Sequence, residues 1–480
     1  MGKFKVRKIG FIVGLLVMLL LAFMPTPEGL TLVGQRVLAV TVLMVIFWMT
    51  EAIPISFTAL LPLILFPLLG ITGAKGQNDI QLFKHYAYQT CYLLVGVGFL
   101  SGAMVKHGLH KRIALGIVSK IGKKPSTMVL GFIIAVGFVS MWMSNTTATV
   151  MMLPVALAIA KTLGDRAEGL KKALILSIPF AATLGGMATV IGTTTNPTGI
   201  GLIQETIGLT IGFTDWMKIG LPFALVLIPL FWLYMVKFFK VDKMPNMDIA
   251  IAHQQYKELG SWTKGEKHTA AIFLLCVFLW ITRSNLWGQF FPFATDETVA
   301  MLGAFLTLVV PLNYKEGEYV MDMKTGMSEI PWTAVILLGG SMVMGNAFKD
   351  AGVAAWIAGK MTGLAGLNSV VIVVIVGVVT ALLTELTTNA VVVAAFLPVL
   401  ASVGTAIGVS PLAMMLGCML ACNFAFMLPP ATPPNAIAYG TGEIEMKDLI
   451  KCGLGLKLIC LVVFPFVLYF ITMGVFKIGI

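Results

Sequence analysis

Ser144-Asn145-Thr146-Thr147 interrupts a charge-free stretch that runs from residue 125 to residue 160. Apolar residues flank it on both sides, 127–143 before and 148–160 after. Serine, asparagine and threonine compete with helix backbone for hydrogen bonds and favour caps. The tetrapeptide therefore predicts a helix that stops and restarts. Such a break exposes carbonyls ending one half-helix and N–H groups starting the next. The carbonyl end, with the asparagine and hydroxyl oxygens, suits a small hard cation such as Na⁺. The N–H end carries the positive pole of the half-helix dipole and suits a carboxylate.

The pattern recurs. Thr387-Thr388-Asn389-Ala390 breaks a second apolar run, and nine residues separate each asparagine from the next proline, Asn145 to Pro154 and Asn389 to Pro398. A glycine, Gly96 or Gly339, stands 48 residues before the start of each break at Ser144 or Thr387, and each is followed ten residues later by a lysine, Lys106 or Lys349. A third correspondence pairs Gly192-Thr193-Thr194-Thr195-Asn196-Pro197 with Ala431-Thr432-Pro433-Pro434-Asn435. Three matched elements in one order and at nearly one spacing indicate a duplicated unit. The segments beginning at Tyr92 and Ile336 are short and carry glycine in the middle, which favours a re-entrant hairpin, allowed at membrane depth only when buried in protein. The boundaries expected are a first half at 1–236, a polar cytoplasmic connection at 237–268 and a second half at 269–480, each half having scaffold spans followed by hairpin and transport elements.

Composition sets the solvent. Of 480 residues, 58% are hydrophobic and 11% charged, and residues 386–442 contain no Asp, Glu, Lys or Arg. A soluble domain needs about 25% charged residues, and a helix needs roughly 20 apolar residues to cross the hydrocarbon core. Full spans are expected near 9–24, 35–50, 53–70, 127–143, 219–236, 269–282, 298–312 and 458–476. The first follows a basic head but has no small-x-small cleavage site after it, so it reads as a retained span. The net charge of +11 gathers in short segments at Lys3–Lys8, Lys106–Lys124 and Lys237–Lys267. Basic residues beside span ends stay cytoplasmic, so the distribution is an orientation signal with a cytoplasmic N-terminus, and nucleic acid is not an expected partner.

No Arg or Lys lies inside either polar break. A dianion bound between the two breaks would have no cationic side chain at hand, and uncompensated charge in a low-dielectric site is costly. Co-bound cations would remove most of that cost, so cation and anion binding would be coupled. The alternative for a lone Ser-Asn-Thr is ordinary interhelical packing; two in register within duplicated flanks favour the site. Glu51 is expected at a span end, where the interface solvates it. Glu385, directly before the second break, is an intramembrane ionisable group and so a candidate supporting residue. The five histidines fall in polar connections and are expected to be solvated; the six cysteines and Met143, Met151 and Met152 are expected to be packing residues.

These residues resemble the divalent anion/sodium symporter family, whose members carry dicarboxylates, citrate or sulfate. The resemblance runs from Trp48-Met49-Thr50-Glu51-Ala52-Ile53-Pro54 to Phe426-Met427-Leu428-Pro429-Pro430-Ala431-Thr432-Pro433-Pro434-Asn435-Ala436-Ile437, with the paired Ser-Asn-Thr-type motifs as its signature. It implies an all-α polytopic membrane protein of about eleven transmembrane helices, an inverted repeat with re-entrant hairpins and discontinuous helices. It also implies a scaffold domain, a transport domain moving as an elevator, and a homodimer in the plasma (inner) membrane. Two Na⁺ sites are implied, one using Ser140, Ser144, Asn145 and the backbone of Gly192, the other Thr384, Thr387, Asn389 and the backbone of Ala431. The substrate would meet Ser144, Asn145, Thr146, Thr388, Asn389, Thr432 and Pro433. This chain departs from the family at Ala390, which lacks the hydroxyl of Ser-Asn-Thr, and at Gly-Thr-Thr-Thr-Asn, where Pro-Pro is common.

The function expected from this is Na⁺-coupled symport of C4-dicarboxylates such as succinate, malate and fumarate. A Na⁺-independent dicarboxylate exchanger, or a citrate or sulfate transporter, is the alternative on the same fold. A channel or Na⁺/H⁺ antiporter would show an intramembrane acidic pair, and an enzyme a nucleophile–base pair or metal cluster; the apolar spans display neither.

Overall fold

Each apolar run becomes a helix, and each polar motif ends one. The computed structural model describes residues 2–71, 80–121, 124–163, 167–241, 250–360 and 368–475. Of the polar connection at 237–268, residues 242–249 lie outside the described residues, as does the last residue of the span expected at 458–476.

The chain opens with α1 (Gly2–Phe23), α2 (Leu32–Thr50), α3 (Ile55–Thr58), α4 (Leu61–Leu68) and α5 (Ile80–Lys84). A run of seven helices follows: α6 (Gln89–Lys106), α7 (Leu109–Ile121), α8 (Pro125–Ser140), α9 (Asn145–Leu163), α10 (Glu168–Gly186), α11 (Thr195–Ile207) and α12 (Phe213–Phe238). The middle contains α13 (Ala250–Glu258), α14 (Lys264–Thr282), α15 (Asp296–Val309), a two-stranded antiparallel ribbon and α16 (Met323–Glu329). A second run of seven closes the chain: α17 (Trp332–Asp350), α18 (Val353–Lys360), α19 (Ser369–Leu383), α20 (Asn389–Ile407), α21 (Pro411–Ala421), α22 (Pro433–Gly440) and α23 (Met446–Gly474). Proline opens α8, α21 and α22, where its missing N–H is no loss. Thr31, Thr263, Asn368, Ser410 and Thr432 cap their helices by accepting a first-turn N–H.

Seven described helices are long and apolar enough to cross a membrane, eight if α16 and α17, bent by 53° at Ile330-Pro331, count as one. The expected count of about eleven therefore calls on the shorter apolar helices Ile55–Leu68, Pro125–Ser140, Asn145–Lys161, Ser369–Leu383 and Pro411–Ala421. Leu225, Leu233, Leu274, Phe278, Leu458, Val462, Phe466 and Phe470 on the long helices are exposed, an outward apolar surface that lipid covers. The chain is a multi-pass membrane protein.

The two runs of seven pack in the same pairs. α10 lies along both α8 and α9, and α21 along both α19 and α20; α12 meets α8 and α10 as α23 meets α19 and α21. The runs also interlock: α9 packs on α22, and α20 packs on α11. A single apolar core extends through both, while α1–α4 contribute to two smaller clusters.

The glycine-bearing segments correct the hairpin expectation. Residues 92–106 lie in one unbroken helix, α6, which with the residues before it forms a 25-residue candidate span, and 336–349 lie within α17. Gly96 is there for close approach: a Cβ would overlap the Ala300 carbonyl of α15. The chain stops instead at the Ser-Asn-Thr-type motifs, between α8 and α9 and between α19 and α20. The span expected at 53–70 also divides, into α3 and α4.

Candidate functional site

α8 ends at Ser140 and α9 begins at Asn145; α19 ends at Leu383, Thr384 follows it, and α20 begins at Asn389. The hydroxyl ending the first helix reaches the asparagine beginning the next in both halves. Ser140 Oγ lies 2.7 Å from Asn145 Oδ1, and Thr384 Oγ1 lies 2.6 Å from Asn389 Oδ1. Thr384 Oγ1 also approaches the Cys422 carbonyl at 2.8 Å. All four residues except Asn145 are buried, and Asn145 is half-buried.

The second break in each half supplies the other wall. Asn196 Nδ2 donates to the carbonyls of Gly186 (3.1 Å) and Thr189 (2.7 Å), which closes the loop between α10 and α11. Asn435 Nδ2 donates to the carbonyls of Ala425 (3.0 Å) and Leu428 (3.3 Å), which closes the loop between α21 and α22. The offsets are ten and seven residues in both halves.

The result is two clusters of neutral oxygen, one in each half, each a candidate cation pocket. In the first, the atom of the Asn145 amide that faces inward is 3.0 Å from the Ala182 carbonyl, 3.3 Å from the Gly192 carbonyl and 2.7 Å from Ser140 Oγ. Oxygens this close repel unless the amide turns its Nδ2 inward to donate, or a cation sits among them. Gly186 borders the same pocket, where a Cβ would overlap the Asn145 amide. The side-chain oxygens of Asn196 and Asn435 are buried without a hydrogen-bond donor, one in each half. Orphaned buried acceptors, duplicated, fit a site that receives a positive ligand. Among the described residues no group of three or more His, Cys, Asp or Glu could hold a metal ion. Any cation therefore meets hydroxyls, amides and carbonyls, the ligands of a hard, weakly held ion.

Residues 5–475 match the family described as the sodium:sulfate symporter transmembrane region. The chain belongs to this family. Sodium-dependent dicarboxylate transporter SdcS of Staphylococcus saprophyticus is 35% identical over 98% of this chain and 92% of that protein. The protein of the same name from Staphylococcus aureus strain USA300 is 35% identical over 96% and 91%. Two solved transporters share the fold at low identity. The YdaH transporter of Alcanivorax borkumensis has a TM-score of 0.58 at 14% identity, covering 91% of this chain and 98% of that one. MtrF of Neisseria gonorrhoeae has a TM-score of 0.53 at 13% identity, covering 97% and 98%. Members of a symporter family move solutes and are not enzymes, in line with the sequence expectation.

Within this family fold, the residues expected to bind substrate take up helix starts. Ser144 caps α9, its Oγ accepting from Thr147 N at 3.2 Å, and it is exposed. Thr146 is half-buried in the first turn of α9. Thr388 occupies the equivalent cap of α20 in extended conformation but makes no side-chain cap bond. Thr432 caps α22, accepting from Asn435 N, and Pro433 beside it is exposed. Thr387 is half-buried between Leu386 and Thr388; Gly192 and Ala431 are buried. One cleft gathers Ser144, Thr147, Thr193 and Thr194 opposite Ser101 and Glu329. Glu329, at the bend between α16 and α17, was not singled out from the sequence.

Two expectations need correcting. A cationic side chain does stand beside the second break: Lys457 Nζ of α23 lies 2.6 Å from Glu385 Oε1, both side chains almost fully buried. The charges cancel, so the pair adds no net positive charge for an anion. The histidines are not all solvated either; His110 is buried with Nδ1 2.8 Å from the Met104 carbonyl, and among the five only His253 is exposed. Glu51 does end α2, where it pairs with Arg7 at 2.9 Å, and all six cysteines are free and buried.

Proposed function

We propose that this protein is a secondary active transporter that couples Na⁺ entry to uptake of C4-dicarboxylates such as succinate, malate and fumarate. The observation that carries the reading is the duplicated oxygen pocket, with the same hydroxyl-to-asparagine contact and the same asparagine-closed loop in each half. Each pocket takes one Na⁺. Ser140, Ser144, Asn145 and the Gly192 backbone serve the first ion, and Thr384, Thr387, Asn389 and the Ala431 backbone serve the second. The two near-full-length relatives named as sodium-dependent dicarboxylate transporters support both the ion and the substrate class.

The substrate lies between the starts of α9 and α20 and meets Ser144, Asn145, Thr146, Thr388, Asn389, Thr432 and Pro433. Helix N-termini present N–H groups and a partial positive charge to its carboxylates. The two Na⁺ ions supply the full charges, and since the Lys457–Glu385 pair is internally neutral, each ligand depends on the others to bind. In this reading α8–α9 and α19–α20 are re-entrant hairpins of an inverted repeat with about eleven spans, as broken-helix transporters are built. They form a transport domain that moves as an elevator against a scaffold that includes α1–α4. The protein works as a homodimer in the plasma membrane with its N-terminus cytoplasmic.

The family's description names sulfate, which supports one rival substrate. Uptake of labelled succinate, citrate and sulfate into proteoliposomes, each under an inward Na⁺ or K⁺ gradient, tests the proposal. Succinate accumulation driven by Na⁺ alone is the expected result. Accumulation that ignores Na⁺ would leave an exchanger, and preference for sulfate or citrate would replace the substrate.

A further inference from the structure

The two pockets are alike in their ligands but differ in what holds them. In the second half Glu385, immediately after Thr384, turns its carboxylate onto the loop after α21. Oε1 accepts from Phe426 N (3.0 Å) and Met427 N (3.1 Å), and Oε2 from Met427 N (3.1 Å) and Leu428 N (3.0 Å). Lys457 Nζ neutralises it and also donates to the Ala381 carbonyl at 2.7 Å, tying α23 to the end of α19. Asn435 grips the same loop from its carbonyl side, at Ala425 and Leu428. A four-residue loop is thus fixed by both its N–H and its C=O groups.

Among the described residues the first half has no such device. Aligning Ser140 with Thr384 puts Met141 where Glu385 stands. The loop after α10 is held there by neutral bonds, from Thr189 Oγ1 to the Met141 carbonyl and from Trp216 Nε1 to the Met187 carbonyl at 3.0 Å.

From this asymmetry we infer that Glu385 and Lys457 form a positioning device for the second cation pocket alone. The pair presets the loop leading to Ala431 and Thr432 against Thr384 and Asn389, so that the pocket's oxygens are in place before the ion arrives. Neither residue touches the ion. A carboxylate that accepts three consecutive N–H groups holds them more tightly than neutral acceptors do, and the ammonium keeps its charge from being left unpaired. The inference rests on the sodium-coupled reading above and adds a residue pair that sets the affinity of one of its two ions.

The test is a Na⁺ titration of the melting temperature of purified protein at constant ionic strength, choline replacing Na⁺, together with uptake in proteoliposomes. The informative variant is E385Q/K457M, which removes both charges while keeping shape; neutral replacement of a buried pair often leaves stability unchanged. Its melting temperature without Na⁺ should stay near that of the parent. The Na⁺ concentration for half-maximal stabilisation should rise about tenfold, the loss expected when charged hydrogen bonds become neutral. The single variants E385Q and K457M each leave one buried charge unpaired and should melt lower; if either is not recovered folded, the double variant decides. A double variant that titrates with Na⁺ like the parent overturns the proposal, as does a midpoint that rises only in step with lost stability. Parent protein that responds to Na⁺ beside such a variant leaves the transport reading standing; parent protein indifferent to Na⁺ in both assays removes that reading and the positioning role with it.

Discussion

Asn196 and Asn435 do the same work in the two halves: each donates through Nδ2 to the carbonyls seven and ten residues before it, and each keeps a buried side-chain oxygen without a donor. Truncation of either side chain should unpair two backbone carbonyls. N196A and N435A are each expected to lower unfolding stability by about 1–3 kcal/mol and to weaken Na⁺-dependent stabilisation. Melting curves in Na⁺ and in choline measure both effects. Two silent substitutions would mean the loops are held by something else.

Asn145 and Asn389 stand nearer the proposed ions. N145A and N389A should reduce Na⁺-driven uptake to background while membrane expression stays close to normal, since each change leaves its helix start on a polar break. Uptake normalised to surface protein is the measurement. Normal transport by either variant would show the site to be misplaced.

Ala390 holds the place in α20 that Thr146 holds in α9. Its side chain cannot donate the hydrogen bond that a threonine would. A390T should shift preference among dicarboxylates and tricarboxylates more than it shifts Na⁺ dependence. Competition of labelled succinate by malate, fumarate and citrate reads this out, and an unchanged profile would argue that residue 390 does not face the ligand.

His110, on α7 beyond the end of α6, is held below its ordinary pKa of 6.5 chiefly by burial, with Lys111 adding to the effect and the Met104 carbonyl opposing it. A folded-state value below the unfolded one favours the neutral ring. Its contribution to stability is therefore complete above the unfolded pKa and is lost as pH falls through the folded one. Acidification from pH 7.5 to roughly pH 5 should lower the melting temperature of the parent more than that of H110N. Parallel curves for the two proteins would rule out this histidine as a source of acid sensitivity.

The breaks were legible because polar residues in an apolar run have few uses, and the recurrence of Ser144-Asn145-Thr146 as Thr388-Asn389-Ala390 removes most of them. Asn196 and Asn435 were visible for the same reason, although their shared bonding pattern was not. The glycines misled because a glycine marks either a bend or a close neighbour, and only the position of Ala300 distinguishes the two for Gly96. Lys457 stands one residue before the span expected at 458–476, where its charge reads as part of the flank. Its partner lies on a distant helix, so no local pattern announces the pair. The same holds for Arg112 of α7 and Glu266 of α14, a second buried ion pair at 2.6 Å that only tertiary packing creates.

α9, which starts at the first pocket, rests on α22 of the opposite half, and α20, which starts at the second, rests on α11. A tilt of either broken helix would therefore press on the other half's loop helix. Under the proposed sodium-coupled reading, this cross-packing gears the two breaks to one another like meshed wheels, and cargo and ions between them would travel as one load.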